Sequence, residues 1–62
     1  MKKILIVDDE VKSREIIKKY ATFEGYDVEE ANDGMAAIIA CEENKYDLII
    51  TTLLKFFNVS TL

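Results

Sequence analysis

The sequence predicts an α/β domain of order βαβαβ built on a parallel sheet, and three observations carry that reading. Ile4, Leu5, Ile6 and Val7 are four consecutive apolar, β-favouring residues without polar alternation, the pattern of a central strand buried on both faces. Residues 47–52 form a second run of the same kind. Between the two lie two segments of helical period and one short strand, joined by the short connections that suit parallel strands and crossover helices.

The whole chain sets the limits. Its 62 residues make one small domain, residues 1–62. A domain of that size buries only about 60% of its unfolded surface, so a partner subunit is a natural source of extra stability. The one cysteine, Cys41, rules out an internal disulfide, fits a reducing cytoplasm and reads as a small core residue. The net charge of −4 and the scattered basic residues speak against a nucleic-acid backbone as partner. Met1-Lys2-Lys3 opens like a signal peptide, but the apolar run stops at Asp8 after four residues, short of the 7–15 or so of an h-region. Nothing approaches the roughly 20 apolar residues of a membrane span. The expectation is a soluble, cytoplasmic protein.

The elements follow in order. The first strand runs directly into Asp8, Asp9 and Glu10, acids that cannot lie in the core and so sit at its carboxyl end, where open α/β sheets bind ligands. Residues 11–24 form an amphipathic helix, with Ile16, Ile17, Tyr20, Ala21 and Phe23 on one side and Lys12, Arg14, Glu15, Lys18 and Lys19 on the other. Asp9 or Glu10 favours its positive end, and Gly25 closes it in the left-handed conformation. Residues 26–31 form the second strand, with Tyr26, Val28 and Ala31 inward. Asn32-Asp33-Gly34 is a turn whose Asn or Asp caps a second helix, which ends at Asn44-Lys45. Tyr20, Tyr26 and Tyr46 are packing residues with hydroxyls at the boundary. The tail, 53–62, has no Gly or Pro and reads as an extended segment prolonging the third strand.

Taken together, these residues resemble the receiver domain of bacterial response regulators. Lys3-Ile-Leu-Ile-Val-Asp-Asp-Glu10 looks like the family's first strand and acidic pair, and Glu24-Gly-Tyr-Asp-Val28 like the link into its second strand. Ala31-Asn-Asp-Gly34 followed by Ala37 looks like the start of its second helix, and Tyr46-Asp-Leu-Ile-Ile50 like its third strand. The match covers about residues 1–52 without a gap. It implies a flavodoxin-like fold, here its first half with sheet order 2-1-3, and a role in phosphorelay signal transduction rather than as an enzyme. By resemblance Asp8 and Asp9 are Mg²⁺-binding acids, since Mg²⁺ takes oxygen ligands and bridges to phosphate. A histidine kinase or another receiver is the implied partner.

The chain departs from the family most decisively at one position, beyond the Lys55-Phe56-Phe57 that replaces its Pro-Gly loop and the fourth and fifth strands it lacks. Thr52, with Thr51 before it, stands where the family has the aspartate that accepts the phosphoryl group. A threonine hydroxyl is a weak nucleophile without an activating base, and the chain has no histidine. Asp47 lies about 16 Å away along an extended strand, at the other end of the sheet. Two carboxylates without the third ligand are expected to hold Mg²⁺ weakly. The expected reading is thus a truncated receiver unable to accept phosphate. Its alternatives are a phosphoacceptor using Thr52 or a site completed by another chain, and a gene or engineered fragment without a signalling role.

Two surfaces suggest self-association. The second helix is apolar on every side at Met35-Ala-Ala-Ile-Ile-Ala-Cys41, so Met35 and Ile39 form a contact surface. With order 2-1-3 the third strand is an unpaired edge, continued by an apolar, Pro-free tail. Ile50, Leu54, Phe56 and Phe57 are then expected at an interface in which two chains pair through their third strands or exchange tails, giving a homodimer or higher homo-oligomer.

Overall fold

The computed structural model describes residues 1–52 and the backbone of residues 58–61. Its elements are β1 (Lys3–Val7), α1 (Val11–Phe23), β2 (Asp27–Ala31), α2 (Gly34–Glu43), β3 (Leu48–Thr51) and β4 (Asn58–Thr61). The sheet order is β2-β1-β3-β4. β1 pairs in parallel with β2 on one side (Val7 opposite Ala31) and with β3 on the other (Val7 opposite Thr51). The expected 2-1-3 arrangement is therefore present.

The tail departs from expectation. β4 turns back and pairs antiparallel with β3, Thr51 opposite Asn58 and Leu48 opposite Thr61. Residues 58–61 do not prolong the third strand, and β3 is not an edge. Pairing of two chains through the third strand is overturned for that reason: its outer N–H and C=O groups already bond to β4. Leu54, Phe56 and Phe57, the expected tail contacts, lie outside the described residues.

Side-chain alternation sorts the sheet into two faces. Leu5, Val7, Ala31 and Ile49 point towards α2, where Tyr46 joins them and Ala36, Ala37 and Ala40 pack against the cluster. Paired residues of parallel strands share a face, so Ile4, Ile6, Val28, Glu30, Leu48 and Ile50 lie on the α1 side. Leu5 and Ile6, one for each face, are 0% exposed. This is the two-sided burial that the unbroken apolar run required.

Local chemistry sets the helix ends. Asp33 Oδ1 accepts from the Ala36 amide at 2.7 Å and caps α2. Gly25, at φ 92°, ends α1 in the left-handed region open to glycine, with its amide donating to the Thr22 carbonyl at 3.0 Å. The start of α1 is held differently. Glu10 is the N-cap residue but its side chain caps nothing; its amide donates instead to Asp8 Oδ1 at 2.8 Å.

Three groups expected inside lie outside. Ile16, Tyr20 and Phe23 are exposed, Phe23 to 86%, because α1 packs on β1 and β2 but not on β3. Tyr26 is likewise exposed. Cys41 is exposed rather than core, since the inward stripe of α2 is made by Ala36, Ala37 and Ala40. Among the described residues no helix is long and apolar enough to cross a membrane.

Candidate functional site at the carboxyl end of the sheet

The carboxyl ends of the three parallel strands meet at Asp8. Its amide donates to the Ala31 carbonyl of β2 at 3.1 Å, and the Thr52 amide donates to the Val7 carbonyl at 3.1 Å. Asp8 is thus held between the ends of β2 and β3, and Thr52 sits across from it. Asp8 is 3% exposed, whereas Asp9 beside it is open to solvent. Asp47, at the amino end, accepts from the Lys3 amide through Oδ2 at 2.8 Å, so it plays no part in this site.

The two oxygens of Asp8 have different surroundings. Oδ1 accepts the Glu10 amide, while Oδ2 is buried with no hydrogen-bond partner among the described residues. A buried carboxylate oxygen without a donor is costly, and a cation is one means of satisfying it. Among the described residues, however, no group of three or more His, Cys, Asp or Glu side chains converges to hold a metal. Asp8 and Asp9 stand side by side at this end, and Thr52 lies at the end of β3 across from Asp8.

Arg14 fastens this end of the sheet in a way the sequence reading missed. Its Nη1 donates to the Asp8 carbonyl at 2.8 Å and its Nε to Glu30 Oε1 at 3.1 Å. Lys18 Nζ reaches Glu30 Oε2 at 3.1 Å. These cations, Lys18 foremost and Arg14 with it, hold the Glu30 carboxyl below its ordinary value of 4.5. Arg14 and Lys18 lie one helical turn apart, and Glu30 shares the α1 side of the sheet with Ile6; that register was the available signal.

A second polar cluster lies at the opposite end. The Tyr46 hydroxyl donates to Glu29, and Lys3 Nζ pairs with Glu29 at 3.0 Å while lying over the Tyr46 ring at 5.5 Å. Burial, then the Glu29 carboxylate, pushes the Tyr46 phenol up to about 12. The hydroxyl of Tyr46, with Lys3, in turn lowers Glu29. This cluster seals the α2 face.

Parallel strands in the order β2-β1-β3, with helices between them, define a doubly wound α/β domain, and the paired acids lie at the end of its middle parallel strand, where such sheets bind ligands. Residues 4–54 match the response regulator receiver domain, and the chain belongs to that family. The transcriptional regulatory protein ResD of Bacillus subtilis (strain 168) is 42% identical over 52 residues, covering 84% of this chain and 22% of ResD. The sensor protein EvgS of Escherichia coli (strain K12) is 44% identical over 48 residues, 77% of this chain and 4% of EvgS. The transcriptional regulatory protein SrrA of Staphylococcus aureus (strain NCTC 8325 / PS 47) is 39% identical over 51 residues, 82% of this chain and 21% of SrrA. The chain spans about a fifth or less of the length of these relatives. No solved structure matches the chain. Receivers are modules of two-component signalling rather than enzymes, and as a family they bind Mg²⁺ at their phosphorylation site.

Proposed function

We propose that this chain is a receiver module that takes no phosphoryl group at its own site and acts by contact with other proteins of two-component signalling. The observation that supports this reading is Thr52 opposite Asp8, a hydroxyl where the reaction needs a carboxylate. An aspartate attacks as its anion and forms an acyl phosphate; a threonine must first lose its proton to a base. No histidine exists to take it, and the Asp8 oxygen without a partner, Oδ2, belongs to a carboxylate, a weaker base than imidazole.

Asp8 and Asp9 suit one side of a hydrated Mg²⁺ ion. Asp8 Oδ2, buried and lacking a donor, is the inner oxygen, and exposed Asp9 supplies a second. The ion would contribute charge to hold a phosphate-bearing partner group near the sheet end. With two carboxylates rather than three, binding is weak. By family, the protein that meets this end is a histidine kinase or another receiver.

Intact-mass measurement after incubation with Mg²⁺ and a small acyl-phosphate donor tests the reading. The expected mass is unchanged; added phosphate mapped to Thr52 overturns it. Thr52→Asp, which restores the third carboxylate, is expected to tighten Mg²⁺ binding on the order of tenfold, read by calorimetric titration.

A further inference from the structure

Asp8 is held at the end of the sheet by its amide, its carbonyl and one carboxylate oxygen. The amide donates to the Ala31 carbonyl at 3.1 Å, the carbonyl accepts from Arg14 Nη1 at 2.8 Å, and Oδ1 accepts the Glu10 amide at 2.8 Å. Oδ2 is left, buried and without a hydrogen-bond partner among the described residues. The short aspartate side chain follows its own peptide group. Whatever fixes the Asp8 carbonyl therefore also fixes the direction of Oδ2.

Arg14 supplies that hold. Its guanidinium reaches back to the Asp8 carbonyl, and its backbone amide donates to the Glu10 carbonyl at 3.1 Å. The carbonyls of the residues on either side of Asp9 are thus bound by a single residue of α1. The guanidinium is itself aimed, because Nε donates to Glu30 Oε1 at 3.1 Å. One planar fork bridges the end of β1 and the α1 side of β2. The Arg14 side chain is 16% exposed and that of Lys18, the other cation on Glu30, is 48% exposed. Arg14 is locked by its surroundings, whereas Lys18 makes an exposed pair of small effect.

We propose that Arg14 is the positioning residue of the acidic site: by binding the Asp8 and Glu10 carbonyls it keeps Asp8 Oδ2 and Asp9 in one fixed relation to an incoming Mg²⁺ ion. The inference rests on the reading of those two acids as one side of a hydrated Mg²⁺ ion. Charge alone predicts the opposite effect. A guanidinium beside two carboxylates repels a cation, so its removal would tighten Mg²⁺ binding. Positioning requires the reverse, since ligands whose support is removed bind a metal more weakly. The sign of the change separates the two effects.

The test is a titration of the full chain with Mg²⁺ at constant ionic strength, read by NMR at the amides of Asp8, Asp9 and Glu10. Arg14→Ala is expected to bind Mg²⁺ on the order of tenfold more weakly than wild type. Arg14→Lys keeps the charge without the fork; it is expected to fall between the two, and carries the comparison alone should Arg14→Ala unfold. Lys18→Ala, which loses only a surface pair, and Tyr46→Phe, which loses a bond at the opposite end of the sheet, are expected to bind as wild type does. Before metal is added, the Glu10 amide proton of Arg14→Ala is expected to move upfield and exchange faster, as its bond to Asp8 Oδ1 loosens. Binding by Arg14→Ala as tight as wild type or tighter overturns the proposal. So does an Arg14→Lys chain indistinguishable from wild type, or a loss in Tyr46→Phe equal to that in Arg14→Ala. A wild type with no saturable response removes the Mg²⁺ reading instead; the metal-free Glu10 resonance then decides positioning, and its constancy in Arg14→Ala overturns it.

Discussion

The two faces of the sheet carry similar apolar residues but are finished differently. On the α2 side, alanines let the helix lie close to the strands, and Tyr46 fills the space beside it, tied down through Glu29 and Lys3. On the α1 side, the helix is fixed over β1 and β2, with Arg14 and Lys18 holding Glu30, and among the described residues nothing equivalent to Tyr46 lies over Leu48 and Ile50. Among the described residues the same kind of strand is thus sealed on one face and half covered on the other. Burial depends on what an element meets as much as on its own hydrophobicity.

Truncations on the two faces should therefore have very different costs. Leu5→Ala, at a fully buried site, is expected to lower stability by about 2–5 kcal/mol, enough to unfold a domain of this size. Ile16→Ala, measured by urea denaturation where the chain is monomeric, should change it by no more than about 0.5 kcal/mol. Equal losses would mean that the α1 face is as tightly packed as the other.

Smaller effects refine how each helix is held. Arg14→Ala removes the bond to the Asp8 carbonyl as well as the Glu30 pair and should cost about 1–2 kcal/mol. Lys18→Ala removes only a surface pair and should cost about 0.5 kcal/mol or less. Asp33→Ala takes the cap from α2 and should cost about 1 kcal/mol. A Lys18→Ala loss matching that of Arg14→Ala would show that the Asp8 carbonyl contact contributes nothing.

The pH dependence has opposite signs at the two ends of the sheet. Glu30 is lowered below 4.5 by Lys18 and then Arg14, so below that value the unfolded chain binds the extra proton. Its contribution is complete above pH 4.5 and declines as pH falls through the lowered value. Tyr46 keeps its proton to about 12, against 10.0 for an ordinary phenol. Here stability is whole below pH 10 and is lost as pH rises from there towards 12. Thermal melts across both ranges should show both slopes. Tyr46→Phe should flatten the alkaline one and raise Glu29 towards its ordinary value, because the Tyr46 hydroxyl is the largest influence lowering it.

The parts of this molecule that were legible in advance are those set by near neighbours in the chain. The uninterrupted apolar run at Ile4 to Val7 specified a strand covered on both sides. Asp33 and Gly25 marked helix ends through chemistry confined to a few residues. The run into Asp8 and Asp9, with Thr52 at the end of the third strand, placed the candidate site. Arg14 was missed because its partners, the Asp8 carbonyl and Glu30, meet it only once β1 and β2 are side by side. The free lateral edge of β3 was expected from three strands and is absent, because a pairing partner arrives from the far end of the tail, a contact no local pattern encodes. Ile16, Tyr20 and Phe23 follow the helical period of a buried face, yet they are exposed. Periodicity tells which side of a helix is apolar; only the packed sheet decides how much of that side finds something to lie against.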